Sequence, residues 1–143
     1  MPSTQVLLGS FTGLTLDDPV RGKLDENPLD GEIEFTPITE GVFGVSVSRG
    51  KNRDLERTTA GQLSVSFRNQ TRLFDPTNPD SPLREFIVPR RPVRVDVDAS
   101  PIFTGFVDDW VFDYEPSGVS VTTLHASDGF SIFARNVIGG DDE

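Results

Sequence analysis

Three groups of residues in this chain have types and spacings that could do chemistry. The first is "RLFDPTNPDSPL" at 72–83, where Asp75, Asn78 and Asp80 alternate with prolines at 76, 79 and 82. Clustered side-chain oxygens raise the possibility of calcium, and an EF-hand-type loop needs oxygen ligands at positions 1, 3, 5 and 12 with Gly at 6. Counted from Asp75, those positions hold Asp75, Thr77, Pro79 and Phe86, with Asp80 in place of the glycine. The pattern fails. Prolines at a period of three match the repeat of a polyproline II helix, and each biases the residue before it toward extended conformations. The Asp and Asn side chains can close Asx-turns onto neighbouring backbone. The expectation is a stiff, extended connector.

The second group is acidic: Asp108, Asp109, Asp113 and Glu115. Two carboxylates flanking a sugar are what a glycosidase needs. On an extended strand Asp109, Asp113 and Glu115 share a face, with Trp110 on the other as a possible stacking platform. No second cluster supports the pair, and the plainer reading is a solvated strand end or partners for arginines.

The third group surrounds His125, the one histidine, with Ser127 and Asp128 close in sequence. Members of a catalytic triad converge from separate elements, so three residues at one strand-to-helix junction make a poor triad. None of G-x-S-x-G, H-E-x-x-H, the P-loop or GxGxxG occurs. No enzyme activity, cofactor or resident metal is expected.

What remains is basic. Arg49, Lys51, Arg53 and Arg57 lie in one polar loop, and Arg68, Arg72, Arg90 and Arg91 follow. Eleven arginines stand against two lysines, which favours planar pairing with carboxylates. Charge is segregated: residues 1–48 carry −6, 49–94 carry +5 and 95–143 carry −9, for a net −10. That field discourages nucleic-acid binding. The loop reads equally as a solvated surface or as an interface. The candidate interface is Arg49, Lys51, Arg53, Arg57, Asp75, Asn78, Asp80, Arg90 and Arg91.

The elements that must position these groups are mostly strands. Residues 12–31 are rich in Asp, Gly and Pro without periodicity, and read as an irregular arm. "FTPITEGVFGVSVSRG" reads as a β-hairpin turning at Thr39-Glu40-Gly41. "QLSVSFRN" and "RPVRVDVDAS" alternate apolar and polar residues, as half-buried strands do. "PIFTGFVDDWVFDYE" is a long β run expected to bend near Gly105 or Asp108-Asp109, and Pro116-Ser117-Gly118 turns it into "VSVTTLHA". In "SDGFSIFARNVIGG", Ser127 or Asp128 can cap a short helix with a Phe130, Phe133, Ala134, Val137 stripe that must pack on a sheet or a partner. The fold expected is mostly β, an antiparallel barrel or sandwich with one short C-terminal helix. Residues 1–31 form the N-terminal arm, 32–138 the β-rich domain and 139–143 a flexible acidic tail. Without cysteines, stability must come from packing or assembly. The start lacks the marks of a signal peptide and no apolar run approaches a membrane span, so the chain is expected to be made in a cytoplasm and the sequon Asn69-Gln70-Thr71 to go unused.

Taken in order, "TLDDPVRGKLD", "ITEGVFGVSVSRGKNRDLERTTAGQLSVSFRNQTRLFDPTNPDSPL", "PRRPVRV", "IFTGFVDDWVFDY" and "ASDGF" resemble minor tail proteins of long-tailed bacteriophages, in particular the N-terminal region of baseplate-hub-like proteins. The most specific pieces are Ser48-Arg49-Gly50, Ala60-Gly61, Asn69, Phe74-Asp75-Pro76 with Asn78 and Ser81-Pro82, Phe103-Thr104-Gly105 and Asp109-Trp110. The resemblance implies a structural virion subunit at the tail tip, a trimeric or hexameric ring with tail-tube and fibre or hub proteins as neighbours. Family members often continue past the helix into further domains, so the resemblance implies an adaptor or a hub part completed by another subunit. The alternative is a carbohydrate-binding β-sandwich using Trp110 and Tyr114 with nearby carboxylates. It requires that strand face to be exposed.

Overall fold

The computed structural model describes residues 2–11, 19, 20, 22, 23, 32–49 and 59–135. Seven strands form one antiparallel sheet: β1 (Thr4–Phe11), β2 (Ile33–Pro37), β3 (Val42–Ser48), β4 (Gln62–Arg68), β5 (Pro92–Val97), β6 (Ser100–Tyr114) and β7 (Ser120–Asp128). A six-residue helix α1 (Phe130–Arg135) follows. Strand order is β2-β1-β5-β6-β7-β4-β3.

Two expectations change at the N-terminal side. Residues 4–11 are not part of an arm: β1 lies inside the sheet between β2 and β5, with Val6 and Leu8 in the core. The alternation of apolar Val6 and Leu8 with Gln5, Leu7 and Gly9 is what a strand inside a sheet requires. The 33–48 hairpin also does not form. β2 pairs with β1 and β3 with β4, at opposite ends of the strand order. Laid flat, seven strands would put those edges about 29 Å apart, whereas the step from Pro37 to Val42 spans at most about 18 Å. The sheet therefore curls until its two ends share one corner. Ile38 N–H donates to Val6 O at 2.8 Å on the β1 side, and Arg68 N–H to Gly41 O at 2.8 Å on the β4 side. Gly41, at φ +78°, supplies the left-handed residue that the corner needs. Among the described residues β2 and β3 do not pair, so the sheet is open and not a closed barrel.

The concave face of this curl is the core. Val6, Leu8, Leu63, Val65, Phe67, Val93, Val95, Phe103, Val107, Leu124 and Ala126 are all buried there. β5 and β6 join through Asp98-Ala99, both at positive φ, the signature of a two-residue hairpin turn whose twist suits its strands. β6 bends where its register with β7 shifts between Val107 and Asp109. The extra residue is Asp108, a β-bulge. Phe103 and Val107 point inward before it, Trp110 and Phe112 after it, so Asp109, Val111 and Asp113 are turned outward. Gly105 lets β7 approach: a Cβ there would stand 2.2 Å from Ser127 O.

From the end of β4 the chain must reach β5, three places away in the sheet. It does so by crossing the open side of the core through 69–91, where Phe74 and Ile87 are buried as plugs. At the other end α1 is capped by Asp128, whose Oδ1 accepts Phe130 N–H at 3.1 Å. Of its apolar stripe, Phe130 is 47% exposed and Phe133 75%, so these two rings are largely turned to solvent. Ala134 and Val137 fall outside the described side chains, as does the tail at 139–143.

Candidate functional site

The segment 69–84 is built from turns, not from an extended polyproline helix. Asn78 N–H donates to Asp75 O at 3.1 Å, Ser81 N–H to Asn78 O at 3.2 Å and Arg84 N–H to Ser81 O at 3.3 Å. Each turn opens on Asp, Asn or Ser and has proline second, the order that type I and II β-turns favour. Each opening side chain also caps its own turn. Asp75 Oδ1 accepts Thr77 N–H at 2.8 Å, Asn78 Oδ1 accepts Asp80 N–H at 3.2 Å and Ser81 Oγ accepts Leu83 N–H at 3.2 Å. The period of three is therefore the repeat of overlapping turns that share their end residues. The extended preference of a residue before proline is satisfied at each junction between turns.

This chain of turns is anchored at its base. Asn69, fully buried, accepts Phe74 N–H through Oδ1 at 2.9 Å. Phe74 meets Phe67 with ring centroids 4.3 Å apart, and Trp110 lies 6.2 Å from Phe67 and 6.4 Å from Phe74. Asn78 Nδ2 donates to Arg72 O at 3.0 Å, and Ser81 Oγ donates to Leu73 O. Arg72 reaches Asp75 Oδ2 through Nε at 2.8 Å and Nη2 at 2.6 Å. The Thr77 hydroxyl and backbone N–H, then Arg72, hold the Asp75 carboxyl down to about 2. Beside it, a cleft of about 420 Å³ is lined by Arg72, Asp75, Pro76, Thr77, Phe112 and Tyr114. Partial burial, and then the Asp75 charge, push the Tyr114 hydroxyl above its ordinary value.

The candidate interface residues separate accordingly. Asp75 is 4% exposed, and its oxygens hold the loop together, so it is not available at a surface. Asn78 is half-buried and doubly engaged, while Asp80 is exposed. Arg49 is exposed and donates to Ile102 O at 3.2 Å. Arg90 N–H donates to Val107 O, and Arg91 donates to Glu85 O at 2.9 Å with its guanidinium 5.4 Å from the Phe86 ring centroid. Lys51, Arg53 and Arg57 lie outside the described residues. The described members do not converge. They are strung along β6, with Arg49 at Ile102, Arg90 and Arg91 at Val107, and Asp75 at Tyr114, a run of about 40 Å at strand rise.

The face needed for sugar stacking is core. Trp110 lies in the aromatic cluster under the loop and Phe112 packs beside it, leaving Tyr114 as the exposed ring. Asp109 and Asp113 sit on the opposite, outer face. Among the described residues no group of three or more acidic or histidine side chains could hold a metal ion.

One arrangement was invisible to sequence spacing. Ser46 stands opposite Ser64, Ser64 opposite His125, and His125 opposite Asp109. The outer face thus carries a Ser-Ser-His-Asp row across β3, β4, β7 and β6, along a groove of about 570 Å³ also lined by Ser48 and Gln62. Among the described residues no hydrogen bond links these side chains, so the nucleophile–base contact of a triad is not made. The near neighbours of His125 in sequence serve elsewhere. Ser127 Oγ donates to Asp108 Oδ1 at 3.0 Å, and Asp128 Oδ2 accepts Gly61 N–H at 2.8 Å.

No family model matches the chain, and no curated protein does. Among solved structures it is similar to the 43 kDa tail protein of prophage MuSo2 from Shewanella oneidensis, at a TM-score of 0.45 and 16% identity over 90% of this chain. The chain spans 29% of the length of that protein. No helix among the described residues is long and apolar enough to cross a membrane.

Proposed function

We propose that the chain is a structural subunit of a bacteriophage tail tip or baseplate, assembling as a ring with tail-tube and fibre or hub proteins and carrying no catalytic activity. The observation behind this reading is what the residues of the resemblance do. Asn69, Phe74, Asp75, Asn78 and Ser81 build and anchor the turn chain. Gly61 and Gly105 permit close approaches of Asp128 and Ser127, and Trp110 completes the aromatic cluster. That these residues maintain the scaffold supports a role in assembly. The surface left to neighbours is the open sheet edges, the exposed apolar α1 and scattered arginines. A trimeric or hexameric ring would let acidic ends meet basic middles of adjacent subunits.

Negative-stain microscopy and light scattering of the purified chain, alone and with tail-tube protein, test the proposal. Rings of three or six copies, alone or on the tube end, are expected. A free monomer that ignores tail proteins and binds oligosaccharide would overturn it.

A further inference from the structure

We infer that the edge of β3, which no strand among the described residues covers, is a self-pairing surface that takes β3 of a second copy of this chain, antiparallel and about a two-fold axis at Ser46. The two ends of the sheet are unlike. β2 carries Glu34 and Pro37, both devices that blunt a sheet edge against pairing. β3, Val42-Phe43-Gly44-Val45-Ser46-Val47-Ser48, has neither a charge nor a proline. In a chain of net charge −10, two copies repel, and close approach is least costly where both surfaces are neutral.

The side chains of β3 fit a second copy of themselves in one register. Val42, Val45 and Val47 face the core side but are only partly buried, while Gly44, Ser46 and Ser48 face outward. The bulge between Val42 and Gly44 breaks the alternation there. A two-fold axis at Val45 would set Val42 against Ser48, core side against outer side. An axis at Ser46 sets Val45 opposite Val47 of the second copy on the core side, and Ser46 opposite Ser46 and Gly44 opposite Ser48 on the outer side. Both valine pairs are then covered, as cross-strand β-branched pairs favour. Just past the pairing, Arg49 comes beside Phe43 of the second copy, a cation–π contact of the kind Arg68 already makes within the chain at 5.9 Å. No like charges on the two β3 strands face each other in that register. This contact is independent of the tail reading, and either can fail alone.

The chain has no cysteine, which makes the register directly testable. Antiparallel partners lie about 4.5–5.5 Å apart at Cα, within the range a disulfide spans. Ser46→Cys should give a covalent dimer under mild oxidation, and Val111→Cys, on the outer face of β6, should not. The wild type should show a dimer by sedimentation at micromolar concentrations. Ser46→Lys, at an exposed position that leaves the fold intact by Trp110 emission, should weaken the dimer by up to about fivefold by setting two ammonium groups face to face. A wild type that stays monomeric, a Ser46→Cys variant that cross-links no better than Val111→Cys, or a Ser46→Lys variant that dimerises unchanged would each overturn the inference. Rings seen with no Ser46 cross-link would overturn it while leaving the tail reading standing.

Discussion

The side-chain oxygen of Asn69 accepts the backbone N–H of Phe74 at 2.9 Å. That bond ties the end of β4 to the ring that plugs the open side of the core, and both residues are at most 1% exposed. Removing the acceptor strands a buried N–H, which costs about 1–3 kcal/mol. Asn69→Ala should lose that much in urea unfolding, whereas Asn78→Ala, half-buried and nearer water, should lose about 1 kcal/mol. Equal losses at the two positions would mean that burial does not set the cost.

Acid should loosen the turn chain at a definable point. The Asp75 carboxyl sits at about 2 in the folded state, against an ordinary value of 3.8. A depressed folded value means the stabilisation is fully present above the unfolded value and is lost as pH falls through the folded one. The window is therefore from about pH 4 down to about pH 2. Emission from Trp110, the one tryptophan, reports on the loop through its stack with Phe74. Asp75→Asn should be less stable at neutral pH and flatter across that window. A variant as acid-sensitive as the wild type would assign the transition to other groups.

Gly105 and Gly118 should behave differently although both are glycines in or beside strands. At Gly105 a Cβ would meet the Ser127 carbonyl at 2.2 Å, so β6 and β7 would have to part. Gly105→Ala should cost about 3 kcal/mol. Gly118, at φ +86° with open space around it, meets backbone strain alone, and its alanine variant should cost about 1 kcal/mol. Thermal melts of both variants decide it, and the reverse order would refute the close approach.

Two phenylalanines make a similar contrast. Phe74 is 1% exposed inside the aromatic cluster, so Phe74→Ala should cost about 3–5 kcal/mol. Phe133 is 75% exposed, so Phe133→Ser should change stability by no more than about 0.5 kcal/mol. A large loss at Phe133 in the monomer would mean that α1 packs on the chain after all.

Much of the local structure was legible because period-two alternation reports a half-buried strand wherever it occurs. β4, β5 and β6 follow from Leu63, Val65 and Phe67, from Val93 and Val95, and from the run at 101–115. Of the two cap candidates, Ser127 and Asp128, Asp128 caps the helix. β1 is hidden in the sequence because its Leu-Leu-Gly stretch masks the alternation with a buried outer-face residue, Leu7. The prolines at 76, 79 and 82 fit two different repeats. Polyproline II and overlapping turns share a period of three, and the Asp, Asn and Ser opening each turn were the signal that separated them.

The sequence by itself determined a β-rich chain without the marks of a known catalytic motif, its charge segregation, and the turn residues, since these depend on side chains near one another along the chain. Only the tertiary structure decided which strands are neighbours. Two alternating strands on either side of Thr39-Glu40-Gly41 satisfy a hairpin locally, but the curl of the whole sheet gives each a different partner and, among the described residues, leaves both at an edge. The same register aligned Ser46, Ser64, His125 and Asp109 from four strands, and the bulge at Asp108 chose which face Trp110 would occupy. Those outcomes rest on long-range backbone pairing, which no spacing along the chain encodes.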